Sequence, residues 1–162
     1  MKAKELMIPS PEYLHPDDTL RTAVNLLRTA RRDEDKLGTK GLPVLDENSK
    51  LVGMLSMADI LRAVFPFYMG MMELGEFSWD GMVEEVAAKS EDKHVDNVMS
   101  KNVITVNEDA SLMECIDHML KNRIKRLPVL NKEGRVVGML YERDVFFAVT
   151  KAMLEKEGGA IE

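Results

Sequence analysis

The feature that most constrains this chain is an internal repeat. Leu42 to Asp59 aligns without a gap with Leu127 to Asp144, and nine of the 18 positions are identical. The match resumes upstream, where Leu6-Met7 pairs with Val98-Met99 at a separation seven residues larger. That difference places an insertion in the first copy, at about residues 31–38. One such small unit covers its sheet poorly alone, so the two copies are predicted to bury a shared apolar face.

Each copy predicts the same order of elements, β-α-β-β-α, and therefore an α/β (α+β) fold. A short extended segment comes first, at Glu12–His15 and at Val103–Asn107. The helix that follows carries apolar residues at i, i+3, i+4 and i+7. Two apolar strands joined by a polar turn then predict an antiparallel hairpin, and a last helix begins near Met57 or Glu142. The apolar helix positions are Leu20, Ala23, Val24 and Leu27 in the first copy, and Leu112, Cys115, Ile116, Met119 and Leu120 in the second.

The repeat also predicts the domain boundaries. The first repeat spans residues 1–66, and its insertion at about 31–38 forms an exposed loop because it is polar and contains Gly38. Residues 67–93 form a linker with a helix, and residues 94–150 form the second repeat. Residues 151–162 form a C-terminal tail, whose polar end from about Glu155 is predicted to fray.

Composition disfavours several partners. The formal net charge is -6, whereas proteins that bind nucleic acid or anionic membranes usually carry a basic surplus, so neither partner is expected. The single cysteine, Cys115, can form no internal disulfide, which fits a reducing compartment. The N-terminus lacks the apolar core of a signal peptide, and no run of about 18 apolar residues suggests a membrane span. The predicted location is the cytoplasm.

Four motifs of the second copy occur together: Val95–Ser100, Val103–Val106, Leu127-Pro128-Val129 and Val137–Leu140 followed by Asp144. With the matching skeleton of the first copy, they resemble the CBS (cystathionine-beta-synthase type) domain. The resemblance implies a pseudo-two-fold, disc-like pair of repeats. In many members the cleft between the repeats binds AMP, ADP, ATP, S-adenosylmethionine or NAD. It also implies pairing into homodimers and regulation of a partner protein that the sequence does not identify.

The resemblance implies a ribose site at the start of the last helix of each copy. Its signature is a Ser or Thr followed three residues later by an Asp, which matches Ser56 and Asp59. A carboxylate can accept hydrogen bonds from both ribose hydroxyl groups, and such charge-assisted bonds are strong. The second copy keeps Asp144, but Tyr141 replaces the small hydroxyl residue and alters the site. The alternative role of these residues is helix capping, since an acid in the first turn complements the helix dipole.

A phosphate group needs cations, and a basic segment precedes Leu127 in the second copy. The resemblance implies that Lys125, Arg126 and Arg143 approach the phosphate, with Lys40 as the counterpart in the first copy. Cations also cluster at helix C-termini because of the helix dipole alone, so both interpretations stay open.

The adenine ring needs an apolar slot, which the resemblance places near the first strand and just before the Leu-Pro-Val motif. Most of these positions are buried in any such fold, so the pattern is unspecific. The candidate residues are Tyr13, Leu14, Gly41 and Leu42 in the first copy, and Thr105, Val106, Ile124 and Leu127 in the second.

No enzymatic function is predicted. The sequence has no Walker loop, no dinucleotide-binding glycine fingerprint and no nucleophile elbow. Its three histidines have no metal-ligand spacing, so no metal or cofactor is expected. The leading hypothesis is a non-catalytic regulatory module that binds an adenosine-type ligand (AMP, ADP, ATP or S-adenosylmethionine) between the repeats.

Two other hypotheses stay open. The chain could be a dimerisation or protein-interaction module with vestigial ligand sites, using the aromatic and methionine-rich stretch Phe65–Trp79 as its contact surface. It could also sense a divalent cation through Asp33, Glu34 and Asp35, although an acidic run of this kind is more often a solvated surface.

Overall fold

The computed structural model describes residues 1–33, 36–64 and 82–161. The chain forms two compact units, a central unit of Glu12–Val103 and a terminal unit that combines Met1–Pro11 with Ile104–Glu162. The elements, in chain order, are α1 (Ala3–Leu6), β1 (Ile8–Pro9), α2 (Leu20–Thr29), β2 (Arg31–Asp33), β3 (Lys36–Leu37), β4 (Gly41–Leu45), β5 (Leu51–Ser56), α3 (Met57–Val64), α4 (Met82–Ser90), a 3-10 turn (Val95–Asn97), β6 (Val106–Asn107), α5 (Leu112–Asn122), β7 (Arg126–Leu130), β8 (Val136–Tyr141) and α6 (Glu142–Ile161).

The predicted β-α-β-β-α order is confirmed in both units. In the central unit, β4 and β5 form an antiparallel hairpin, and Leu14 bridges to Val44 in the parallel sense. In the terminal unit, β7 and β8 form the matching hairpin, and β6 runs parallel to β7. The first helix of each copy begins at a hydroxyl cap, Thr19 for α2 and Ser111 for α5, which accepts a backbone N–H of the first turn.

Each unit has its own apolar core, to which the hairpin and the preceding helix both contribute. Burial raises the pKa of the Cys115 thiol, as expected for a core cysteine. The prediction that Leu120 lies on the buried stripe of α5 is wrong, since its side chain is 72% exposed. Leu120 directly follows buried Met119. One residue corresponds to about 100° of rotation around the helix, which places Leu120 on the solvent side. The buried residues of the two helices are Leu20, Ala23 and Leu27 in α2, and Cys115 and Met119 in α5.

The first segment of each predicted repeat packs on the hairpin of the other repeat. The strand β1 pairs with β8 of the terminal unit, where Ile8 lies opposite Met139. At the matching place in the central unit, Met54 and Ser100 exchange two backbone hydrogen bonds of 2.9 Å each. The start of the chain therefore completes the second repeat, and the segment after α4 completes the first.

A methionine of each exchanged segment packs against a glycine of the hairpin. A Cβ atom at Gly53 would lie 2.5 Å from Sδ of Met99 and 2.9 Å from the carbonyl oxygen of Ser100. A Cβ atom at Gly138 would overlap Met7 in the same manner. The repeated Val-Gly-Met-Leu motif therefore contains glycine because only a residue without a side chain allows this close approach.

The insertion at 31–38 differs from its prediction as a simple loop. Its backbone forms the two-stranded antiparallel hairpin of β2 and β3. Gly38 follows the hairpin with φ 87°, and its N–H donates to the carbonyl oxygen of Ala30 at 2.8 Å. A positive φ is easily adopted by glycine, which explains this residue at the return of the insertion to the fold.

The last helix, α6, runs past residue 150, where the sequence placed the end of the second repeat. The helix α6 continues from the second repeat to Ile161. Lys151 and Glu155 form an ion pair of 3.5 Å one turn apart, which favours the helical conformation. None of the helices in the described part of the chain is long and apolar enough to cross a membrane.

Candidate functional site

In each unit, the open end of the hairpin brings the predicted ribose and phosphate residues together. Gly41 lies opposite Ser56 in the central unit, and Arg126 lies opposite Tyr141 in the terminal unit. The residue just before the first strand of each hairpin is also held at this end. The carbonyl oxygens of Lys40 and Lys125 each accept the first N–H of the following helix at 2.9 Å.

Ser56 and Asp59 form a reciprocal helix cap at the start of α3. The Ser56 N–H donates to Oδ2 of Asp59 at 2.9 Å, and the Asp59 N–H donates to Oγ of Ser56 at 3.1 Å. This is the capping-box arrangement, in which two groups at a helix start satisfy each other. The capping role left open by the sequence is therefore present in the first copy.

Two residues that the sequence did not single out also bind the Asp59 carboxylate. Oδ1 of Asp59 accepts from the Arg62 guanidinium at 2.5 Å and from the Ser100 hydroxyl at 3.2 Å. The Asp59 side chain is only 5% exposed. The i, i+3 spacing of Arg62 could have indicated an ion pair, but Ser100 is 41 residues away and carried no such signal.

Asp144 occupies the equivalent position at the start of α6 but has different surroundings. Its side chain is half-buried, and its carboxylate makes no hydrogen bond or ion pair in the part of the chain that the structure describes. Ile8 and Phe147 stand where the first copy has Ser100 and Arg62. Neither side chain can donate a hydrogen bond, so Asp144 has acceptor capacity available for a bound molecule.

The predicted phosphate residues differ in their availability. Lys125 and Lys40 are exposed, and Arg126 is half-buried and engaged with another group. The guanidinium carbon of Arg143 lies 5.4 Å from the centre of the Phe147 ring, a cation–π arrangement along α6. Arg123 joins α5 to this basic segment in the left-handed region, with φ 52°, and is also exposed.

The apolar residues predicted for the adenine slot divide into two groups. The side chains of Leu14, Leu42, Val106 and Leu127 are fully or almost fully buried in the cores, so a ligand could reach only their backbone groups. The apolar pattern does not distinguish a core from a slot. The others are Gly41, which is buried, Thr105 and Ile124, which are half-buried, and Tyr13, which is 47% exposed and edge-on to His15 at 5.5 Å.

Of the three residues of the cation hypothesis, Asp33, Glu34 and Asp35, the structure describes only Asp33. Glu34 and Asp35 lie outside the described residues, as do Phe65–Trp79. Among the residues that are described, no three His, Cys, Asp or Glu side chains gather in a way that could hold a metal ion.

Comparison with known proteins identifies the family. The chain matches the CBS domain over residues 3–66 and 95–151. It is 29% identical over 144 residues to inosine-5'-monophosphate dehydrogenase of Methanocaldococcus jannaschii, a match that covers 89% of this chain and 23% of the dehydrogenase. It is 30% identical over 144 residues to the chloroplastic CBS domain-containing protein CBSX1 of Arabidopsis thaliana, covering 83% of this chain and 58% of that protein.

The fold agrees with this match. The structure superposes on that of CBSX2 in complex with AMP with a TM-score of 0.67 and 24% identity, covering 94% of this chain and 98% of the other. CBSX2 is a CBS-pair protein of Arabidopsis thaliana. Because the family match covers both repeats and the fold is that of a CBS pair, this chain belongs to the CBS domain family.

Proposed function

We propose that this chain is a non-catalytic, cytoplasmic regulatory module that binds an adenosine-type ligand, AMP, ADP, ATP or S-adenosylmethionine, at its second repeat. The observation that carries the proposal is the half-buried Asp144 carboxylate, which has no partner among the described residues. Both oxygens of this carboxylate can accept hydrogen bonds from the hydroxyl groups of a bound molecule.

The groups near Asp144 match the chemistry of an adenosine phosphate. Both ribose hydroxyl groups can donate to one carboxylate, and the Lys125 backbone is fixed at the same end of the hairpin. The exposed ammonium group of Lys125 can neutralise phosphate charge. The complex of CBSX2 with AMP supports this class of ligand.

Ligand binding can regulate only if it stabilises one conformation over another. We propose that the occupied second repeat presents a different surface to a partner protein from the empty one. The chain spans 23% of the dehydrogenase and 58% of CBSX1.

A panel of AMP, ADP, ATP and S-adenosylmethionine tests the proposal by thermal unfolding. At least one compound at millimolar concentration is expected to raise Tm by roughly 5 °C, because a ligand at about 100 Kd stabilises by about 2.7 kcal/mol. Asp144→Asn should abolish the shift. Glu142→Gln, which removes an exposed charge from the same helical turn, is the control and should keep it. A panel without any shift would exclude the proposed ligand class.

Dimerisation is the second candidate, favoured by an apolar stripe on α6. Phe146 and Phe147 are 59% and 54% exposed, and Met153 and Leu154, seven residues further on, are 64% and 66% exposed. A seven-residue repeat of exposed apolar side chains is typical of a helix that packs on a second helix. We propose a second copy of this chain as the partner.

Sedimentation equilibrium of the double variant Phe146→Ser/Met153→Ser tests the dimer. The unsubstituted chain is expected at twice the monomer mass and the variant at the monomer mass. Lys151→Ser, an exposed polar change on the same helix, is the matched control and should stay dimeric. A dimeric double variant would show that the contact lies elsewhere, for example in Phe65–Trp79.

A further inference from the structure

We infer that the first repeat is closed to ribose by its own side chains, so that each chain binds one adenosine-type ligand. Arg62 and Ser100 donate to the Asp59 carboxylate, the group whose counterpart in the second repeat, Asp144, is proposed to accept from the ribose. This inference rests on the proposed function of the second repeat, and it assigns to the first repeat a structural role.

The acceptor capacity of Asp59 is largely used. A carboxylate has about four acceptor positions on two oxygens. Oδ1 accepts two hydrogen bonds, from Arg62 and Ser100, and Oδ2 accepts the backbone N–H of Ser56. With the side chain only 5% exposed, the remaining position is not open to an incoming hydroxyl group.

The donors that close the first repeat are absent from the second. The Ser100 backbone pairs with Met54 as Ile8 pairs with Met139, so Ile8 takes the place of the Ser100 hydroxyl. Arg62 is three residues after Asp59, and Phe147 is three residues after Asp144. The two copies therefore differ at two positions around the aspartate. The first copy has donors there that satisfy Asp59, and the second has side chains that cannot donate to Asp144.

The backbone of the central unit holds one of the donors to Asp59 in place. Ser100 is held by two backbone hydrogen bonds to Met54, and the neighbouring Met99 packs against Gly53. A ligand at Asp59 would have to displace a donor that the chain keeps in place, and it would gain no more hydrogen bonds than it broke. At Asp144 the same ligand displaces no protein donor among the residues described.

Isothermal titration calorimetry with AMP tests the inference by stoichiometry. The unsubstituted chain should bind one AMP, and Asp144→Asn should bind none. The double variant Arg62→Ala/Ser100→Ala, which frees Asp59, should bind two. A stoichiometry of two for the unsubstituted chain, or of one for a folded double variant, would overturn the inference while leaving the proposed function intact.

A second variant keeps the test decisive if the double variant does not fold. Asp59→Asn should leave the stoichiometry at one and the Kd for AMP within about twofold, because Asp59 contacts no ligand. A tenfold or larger loss of affinity in Asp59→Asn would overturn the inference. Absence of AMP binding by the unsubstituted chain would overturn the proposed function and this inference together.

Discussion

Replacing Asp59 by alanine should lower the free energy of unfolding of the central unit by about 3 kcal/mol, whereas the same change at Asp144 should cost less than about 1 kcal/mol. Asp59 holds three donors in a buried position. Hydrogen bonds to a charged group contribute about 1.5–3 kcal/mol each net of exchange with water, and the 70% exposed Arg62 contributes little. Asp144 loses only its favourable interaction with the helix dipole, of about 0.3–1 kcal/mol.

Native-state hydrogen exchange of the two variants measures this difference in each unit separately. Asp144→Ala is the matched control because it removes the same side chain from the equivalent helical turn. Faster exchange confined to β4 and β5 in Asp59→Ala agrees with the account. Equal protection in the two variants would mean that the Asp59 contacts contribute nothing to stability, and would remove the basis for a structural role.

Deleting residues 1–10 should destabilise the terminal unit far more than the central unit, although the sequence assigns these residues to the first repeat. Ala3 is fully buried in the terminal core, and the deletion also exposes the β8 edge and empties the space over Gly138. At about 1 kcal/mol per net hydrogen bond, the loss approaches the total stability of a small domain, roughly 5 kcal/mol. The backbone bonds lost include Ala3 to Ala110, Lys4 to Glu108, Ser10 to Val137 and Leu112 to Met1.

Amide protection in the two hairpins provides the readout for the deletion. Loss of slow exchange in β7 and β8 with retention in β4 and β5 is the expected result. The control is the chain with Lys2→Ala and Lys4→Ala, which removes only the exposed ion pairs to Asp109 and should stay folded, since such pairs contribute little. A deletion that instead unfolded β4 and β5 would contradict the exchange of segments.

Much of the fold could be predicted from the sequence because the repeat specifies it twice. The Leu-Pro-Val strand and the Val-Gly-Met-Leu strand have the same spacing in both copies, and the hairpins form at those positions. The helix starts at Thr19 and Ser111 likewise depend on local hydroxyl caps. These features depend on residues close together in the chain, which is where sequence patterns are informative.

The sequence could not predict which segment packs on which hairpin, because the two hairpins carry the same Val-Gly-Met-Leu motif. Gly53 and Gly138 have equivalent surroundings, so the sequence does not say which of them receives Met7 and which receives Met99. The contact between Ser100 and Asp59 depends on that choice. The difference between the two aspartates was therefore invisible in the motif, where Asp59 and Asp144 are matched.

The site predictions were limited by the same lack of long-range information. Tyr141 pointed to an altered second site, yet it is the second copy that leaves its carboxylate open. The first copy keeps the expected Ser56 and Asp59, but these two residues cap a helix. A motif that serves both capping and ligand binding is resolved only by what else contacts it.

The most direct test of the account is a titration of the isotope-labelled chain with AMP, followed by backbone amide chemical shifts. Saturable shifts concentrated on Lys125, Tyr141 and Asp144, with Ser56, Asp59 and Ser100 unchanged, are the predicted result. Shifts concentrated on Ser56 and Asp59, or of similar size at both aspartates, would contradict the central claim that the second repeat alone holds the ligand.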